Sequence, residues 1–561
     1  MPVETQPAEP MSAEMRPAES QPGARRHSRR HFLSGIGAIA AGAAVAAPGL
    51  AAPDLASAST AAAPTDGWIP SQPNILLFIT DQERKPMHWP AGWADKNLPN
   101  RARLTKHGLN FENAFCSAAM CSPSRSTFFT GKYPAEHGVT STLTEGGTVS
   151  PTEPTLPVEE QNMAKVLQEA GYRVHYRGKW HMSKGTDGGS PAPDDIARYG
   201  FEGWRSPDFG GDTKPSNFGG GCADHDGDVT EQAVDFLRHD APNGGPWALI
   251  VSLANPHDIL SFPSSWNERV GDCDNYGSVA PGAFHQGIDL PASFTENLLF
   301  NHKPSAQVQS QLLLAGALGL LPTPTDALNY VNFYAYLHKV VDQRLGEVLD
   351  ALEEDPDMYR DTVVVRISDH GEMGMSHGGL RQKTFNAYEE TLRVPLIVSN
   401  PVMFPEGATT QALASLVDLV PTFATLAGVP DQADFVFRGT DLTPVIADAV
   451  AHPRQPTVVV QDSVLFTFDD ENTAAPNGQQ IVRQPNHIRA IRDDRWKYTV
   501  YFDPSGREPA QRELYDLHSD PDEQQNLADP WVPGYHPDQV AVMDRKLAAK
   551  MQATRTTPAT M

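Results

Sequence analysis

A chain of 561 residues, 40% apolar and 20% charged, has the make-up of a water-soluble globular protein with room for about two to four domains. Its net charge of −25 argues against nucleic acid or an anionic membrane as a partner, because both are bound through basic patches. The first 58 residues hold five Arg and five acidic residues, so the imbalance belongs to the remainder.

The N-terminus reads "SRRHFLSGIGAIAAGAAVAA": Arg29 and Arg30 precede Phe32, Leu33 and a weakly apolar Ala/Gly stretch. Small-residue cleavage options follow at Ala44-Val45-Ala46 and Ala56-Ser57-Ala58. This predicts a twin-arginine export signal over 1–58, and hence the translocation machinery as a partner and a periplasmic, envelope or extracellular location. Pro48 and the low hydrophobicity of Ala and Gly disfavour a membrane anchor. Residues 59–72 are expected to be a disordered linker.

"PNILLFITDQ" (73–82) is an apolar run with a polar end, the pattern of a strand buried on both faces of a parallel sheet. "MAKVLQEAGYRVHYRGKWHM" predicts a helix capped by Gly171, a strand and a polar tip. "WALIVSLANPHD", "DTVVVRISDHGEMG" and "VPLIVSNP" repeat the theme, with helices at "ALNYVNFYAYLHKVVDQRLGEVLDALEE" and "ASLVDLVPTFATLAG". Alternation of this kind predicts an α/β fold with a mostly parallel central sheet flanked by helices over 73–454. Ligands of such sheets gather beyond the carboxyl ends of the strands, so the tips "TDQ", "RGKWH", "NPHD" and "SDHGE" are expected to converge. Residues 183–226 and 259–325 read as irregular insertions. A small α+β domain is expected over 455–540, with strands in "TVVVQDSVLFTF" and "HIRAIRDDRWKYTVYF", and a helix or tail over 541–561.

Four cysteines occur: Cys116, Cys121, Cys222 and Cys273. None has zinc-site spacing, and whether Cys222 and Cys273 pair is left open. In "CSPSRSTFFTGKYP" Pro123 suits the first turn of a helix, Ser122 is the expected cap and Gly131 the end. Cys121 then lies at a helix N-terminus with Arg125 one turn on, a cradle for an anion. A buried structural cysteine, an activated thiolate and a precursor of a modified residue are the three readings of this pattern.

Cys-x-Pro-x-Arg, followed by "GYRVHYRGKWH", resembles the two signatures of the type I sulfatases. "PNILLFITDQ" is similar to the first strand of that family and "ELYDLHSDPDEQQNLA" to its C-terminal end. The resemblance implies an alkaline phosphatase-like fold and a sulfuric ester hydrolase in which Cys121 is oxidised to Cα-formylglycine by a formylglycine-generating enzyme. One hydroxyl of the formylglycine hydrate attacks sulfur and the other expels the sulfate, so that turnover does not stall at a stable ester. The same resemblance places a divalent metal, Ca²⁺ first with Mg²⁺ or Mn²⁺ as alternatives, on Asp81, Gln82, Cys121, Asp369 and His370. Gln82 and His370 stand where many members have carboxylate and amide ligands. It also implies sulfate contacts from Arg125, Lys179, His257 and Lys383, with His181 on the hydrate. Lys179 and His181 would face one side if the strand runs past Gly178. His137, His377, the run Asp224, His225 and Asp226, Trp204 and Trp266 are expected to be structural.

The Asp-Gln and Asp-His pairs also resemble those of choline-sulfatase-like enzymes and of formylglycine-dependent phosphonate monoester hydrolases, which cleave phosphodiesters. A sulfate- or solute-binding protein with a degenerate site is the non-enzymatic alternative. The charge of −25 favours a small sulfate ester over a long sulfated polymer as substrate.

Overall fold

The computed structural model describes residues 70–561 apart from 71, 144–152, 187, 264–265, 267, 281, 472 and 474–479. The expected export signal and the linker up to residue 69 lie outside the described residues. The described residues belong to one compact unit.

Its centre is a seven-stranded sheet in the order 173–178, 247–256, 74–81, 362–368, 396–399, 108–115, 408–415. Only the pairings of 396–399 are antiparallel, so the sheet is mostly parallel, as the apolar runs predict. Asn74–Asp81 lies inside the sheet, between strands 247–256 and 362–368, with seven of its eight side chains buried. A polar residue inside such a strand would lose its water without gaining a partner, which is why Ile75 to Ile79 are uninterruptedly apolar. Two strands escaped the sequence reading: Gly108–Phe115 and Ala408–Ser415 carry partly polar faces and lie at one edge. The latter strand also takes the start of "ASLVDL", so the helix there is only Leu419–Leu426.

The longest helix, Pro324–Glu353, begins with a capping box at Thr323 and Asp326 and buries one face against the sheet. The 259–325 insertion is less irregular than its sequence suggests, since Ser305–Leu318 is helical. Its apolar residues ring the helix instead of forming one stripe, which hid the period. Cys222 and Cys273 form a disulfide that ties the two insertions together.

The C-terminal segment forms a four-stranded antiparallel sheet, 464–468, 487–492, 496–502 and 511–516, covered by the helix Pro537–Thr554. Of "TVVVQDSVLFTF" only Val464–Phe468 is strand.

Where this sheet meets the hairpin after strand 362–368, a buried ion-pair network forms. His377 Nδ1 is 2.7 Å from Glu296 and its Nε2 3.7 Å from Glu390, and the ring stacks on Tyr388. Burial alone would lower its pKa, but the two carboxylates raise it from 6.5 to about 9. A folded pKa raised in this way contributes stability that is complete below pH 6.5 and is lost as pH rises through about 9, worth about 3 kcal/mol. The urea midpoint of the wild type is therefore expected to fall further between pH 6 and 9.5 than that of His377→Gln. Parallel pH profiles for the two proteins would contradict this.

Candidate active site

The parallel register sets the site. Gly178 and Ile79 both pair with Ser252, and Ile79 with Ile367, so four strands reach their carboxyl ends in one row. Just past that row come Lys179, Asp81, His257 and the pair Asp369–His370. The four polar tips do converge.

Cys121 opens the helix Cys121–Thr130 directly beneath them. Gly131, at φ 69°, ends that helix as expected. Ser122 is not its cap: the helix starts at Cys121 itself, and the Ser122 hydroxyl accepts from Leu143 N at 3.0 Å. The Cys121 Sγ lies 3.1 Å from His370 Nε2 and 3.7 Å from Asp81 Oδ1. Ligand atoms of Asp81, Cys121, Asp369 and His370, all buried, lie within 4.8 Å of one another.

Arg125 is fully buried and its fork spans the cluster. Nε donates to Asp369 at 3.0 Å, one terminal nitrogen to Asp81 at 3.2 Å, and the other to Ser252 Oγ at 2.8 Å and the Lys179 carbonyl at 3.0 Å. Lys179 Nζ lies 2.6 Å from the same Asp81 carboxylate. Burial would raise the pKa of Asp81, but Lys179, His257 and Arg125 outweigh it and hold the group well below the usual carboxylate range. Asp369 goes the other way: burial and the neighbouring Asp81 charge lift it to about 6.

Two facing carboxylates of which one is driven toward protonation suit a site for a cation. His370 fits the same use. Its Nδ1–H donates to the Gly371 carbonyl at 3.1 Å, which leaves the Nε2 lone pair facing Asp81, Asp369 and Cys121. Burial lowers its pKa to about 4, so the ring is neutral, as a metal ligand must be.

Strand 173–178 ends at Gly178, so strand alternation is not what places Lys179 and His181. Gly178 has φ 97°, and a Cβ there would lie 2.0 Å from the Ser252 carbonyl. The chain turns at once, and His181 takes a left-handed φ of 54°. Asp208 holds this turn by accepting from Trp180 N at 2.9 Å and His181 N at 2.8 Å. His181 Nε2 donates to the Leu143 carbonyl at 2.7 Å, and its buried Nδ1 has no hydrogen-bond partner among the described residues. Burial and Lys179 keep its pKa well below 6.5. His257 is likewise held down by burial, with Asp81, Lys179, Lys383 and His370 as its charged neighbours.

Lys383 Nζ donates to Gln82 Oε1 at 2.6 Å. The Gln82 amide nitrogen donates to Glu372 and, at 3.1 Å, to Gln382. Of the expected metal ligands, Gln82 is thus the one whose side-chain oxygen is taken by the Lys383 ammonium.

The residues expected to be structural have plain partners. His137 bonds Thr127, Asp224 caps the helix His225–Asp235 and pairs with Arg344, and Asp226 accepts from Ala254 N and Asn255 N. Trp204 donates to the Gly178 carbonyl, while Trp266 packs on Phe284 and Phe333. Sequence reasoning gave no role to Asp208, Ser252 and Glu372, which reach the site only through other residues: Asp208 through the Trp180 and His181 N–H groups, Ser252 through Arg125 and Glu372 through Gln82.

A model of the Sulfatase family matches residues 73–429, and one described as N-sulphoglucosamine sulphohydrolase, C-terminal, matches 377–556. The chain belongs to the sulfatase family. It is 27% identical over 497 residues to a choline-sulfatase of Rhizobium meliloti, covering 82% of this chain and 83% of that one. It is 25% identical over 482 residues to arylsulfatase K of Canis lupus familiaris, covering 82% and 80%. Among solved structures, a 2-O GAG sulfatase superposes with a TM-score of 0.62 at 22% identity, over 86% of this chain and 93% of that one. Phosphonate monoester hydrolase of Agrobacterium radiobacter gives 0.57 at 20%, over 86% and 95%. At such identities the superpositions show the shared fold. This sulfatase is a sulfuric ester hydrolase on an alkaline phosphatase-like scaffold.

Proposed function

We propose that this sulfatase is exported and hydrolyses a small sulfate monoester through a formylglycine made from Cys121, assisted by one divalent metal. The observation that carries the reading is the Cys121 Sγ itself, at a helix N-terminus and within 3.7 Å of both Asp81 and His370. That atom stands in for the oxygen of the modified residue. Formylglycine, as its hydrate, supplies a geminal pair of hydroxyls, one to attack and one to release. Asp81, Asp369 and His370, with Gln82 Oε1 at the edge, would hold the cation, which supplies positive charge for the attacking hydroxyl and the sulfate oxygens. Carboxylate oxygens favour Ca²⁺ or Mg²⁺, and the imidazole admits Mn²⁺.

The remaining groups act on the substrate. Arg125 and Lys179 fix the two carboxylates and set the positive field in which a sulfate docks. Neutral His181, whose Nδ1 has no partner among the described residues, accepts a proton from the modified residue. His257 and Lys383 flank the leaving oxygen, and Lys383 donates to it. Export is supported by the Arg29–Arg30 motif and by the disulfide, which is a bond of oxidising compartments. The maturing enzyme and the twin-arginine machinery are then its transient partners.

A panel of aryl and alkyl sulfates against matched phosphodiesters tests the reaction class. Sulfate monoesters are expected to give the higher kcat/KM. A preference for the diesters would move the assignment to the phosphonate monoester hydrolase chemistry. Within that panel Lys383→Ala is expected to lower kcat by roughly 100-fold for poor leaving groups, the scale of one preorganised donor. The loss should shrink for esters of acidic phenols. Equal losses across the series would give the leaving-group role to His257.

A further inference from the structure

Every polar group of Gln82 is engaged. Its N–H donates to Asp369 Oδ1 at 3.1 Å, and its carbonyl accepts from Tyr334 at 2.6 Å. Its side-chain NH₂ donates to Glu372 and Gln382, and its Oε1 accepts from Lys383. The residue holds a φ of 66°, a conformation that a non-glycine keeps only where its surroundings over-determine it.

The two ends of the amide meet groups of opposite kind. Glu372 is wholly buried, and its other oxygen accepts from Tyr330 at 2.7 Å, Gln382 N at 2.9 Å and Gly374 N at 3.2 Å. All its neighbours are donors, as an ionised carboxylate requires. The Lys383 ammonium, on the far side, only donates. One orientation of the Gln82 amide satisfies both. The reverse would press NH₂ on the ammonium and carbonyl oxygen on the carboxylate.

We propose that Glu372 is a positioning residue: it fixes the Gln82 amide, and through that amide the place of the Lys383 ammonium beside the reacting group. The inference rests on the reading of Lys383 given above. It also accounts for glutamine at position 82. A carboxylate there would face Glu372 directly, two buried negative charges in contact.

Glu372→Gln tests this because it changes almost no volume. Two backbone N–H groups demand the oxygen of the new amide, so its NH₂ must turn to Gln82. The Gln82 amide then flips and sets NH₂ against Lys383. The kcat for poor leaving groups is expected to fall about tenfold or more, with little effect on esters of acidic phenols. Gln82→Glu/Glu372→Gln restores a donor–acceptor pair and should raise kcat for poor leaving groups at least about threefold above that of Glu372→Gln alone.

A second measurement does not depend on turnover. Lys383→Met is expected to lower the thermal unfolding midpoint of the wild type, where it removes a hydrogen bond. In the Glu372→Gln background it should raise the midpoint, where it removes a repulsion. The same downward shift in both backgrounds, or no kinetic rescue by the double exchange, overturns the proposal. Reversal of sign together with unaltered kinetics in Lys383→Met rejects the role of Lys383 and leaves the positioning by Glu372 standing. If Glu372→Gln does not fold, recovery of folded protein in the double variant supports the proposal, and failure to recover it overturns it.

Discussion

Cys121→Ala is expected to lower kcat by about 10⁴-fold or more while the protein folds and unfolds much as the wild type does. The side chain lost is small and its Sγ touches polar ligand atoms, His370 Nε2 and Asp81 Oδ1, not the apolar core. Its helix starts without a side-chain cap, so nothing in the capping depends on it. On the proposed mechanism, removal therefore deletes the attacking group and leaves its cradle. Circular dichroism and a denaturant midpoint check the fold, and steady-state turnover checks the chemistry. Cys121→Ser, unless oxidised by a serine-competent enzyme, should react at most once, because a single hydroxyl forms a sulfate ester that it has no second hydroxyl to expel. Turnover near wild type in the alanine variant would end the covalent mechanism.

Arg125→Met is expected to destabilise the protein by roughly 3–5 kcal/mol and to abolish activity as well. Removing one partner of a buried ion pair strands the other, and here two carboxylates lose a shared counter-ion. Desolvation of the guanidinium opposes its burial, and only the combined hold of Asp369 and Asp81 makes its position favourable. Lysine is a sharper probe than methionine, since it keeps the charge but lacks the fork that reaches both carboxylates, Ser252 and the Lys179 carbonyl at once. Arg125→Lys should recover part of the stability and little of the activity. A denaturant midpoint for Arg125→Met equal to that of wild type would show that Lys179 alone balances the pair.

Much of this site is legible in the amino-acid sequence. Apolar runs ending in Asp81, Gly178, Pro256 and Ser368 identify parallel strands, and parallel strands deliver their polar tips to one end. What the one-dimensional pattern hides is whatever depends on a partner far along the chain. Strand 408–415 has alternating exposed residues because it is an edge, and an edge strand with Thr and Gln reads as a loop. The placement of His181 rests on a turn that Asp208 stabilises from inside an apparently formless insertion. Glu372 looks like one more acidic residue after a strand until Gln82, from a distant segment, and the backbone of Gln382 are seen to donate to it. Ser122 failed as a cap for a similar reason, since its hydroxyl is claimed by the backbone of Leu143.

The proposed sulfate-binding field and the overall charge pull in opposite directions. Arg125, Lys179 and Lys383 are buried around one cluster, near Asp81 and His257, in a chain whose net charge is −25. At physiological salt the screening length is about 8 Å, so on the proposed reading a small ester would feel the local cations while a long polyanion would also feel the net negative charge of the chain.

The central claim is that Cys121 is a precursor and not a thiol in use. Mass spectrometry of the peptide spanning residues 116–132, taken from active protein matured in a host with a formylglycine-generating enzyme, tests it most directly. The account predicts a loss of about 18 Da at Cys121, or the corresponding hydrate. Full activity in protein whose Cys121 is an unmodified, alkylatable thiol would contradict it.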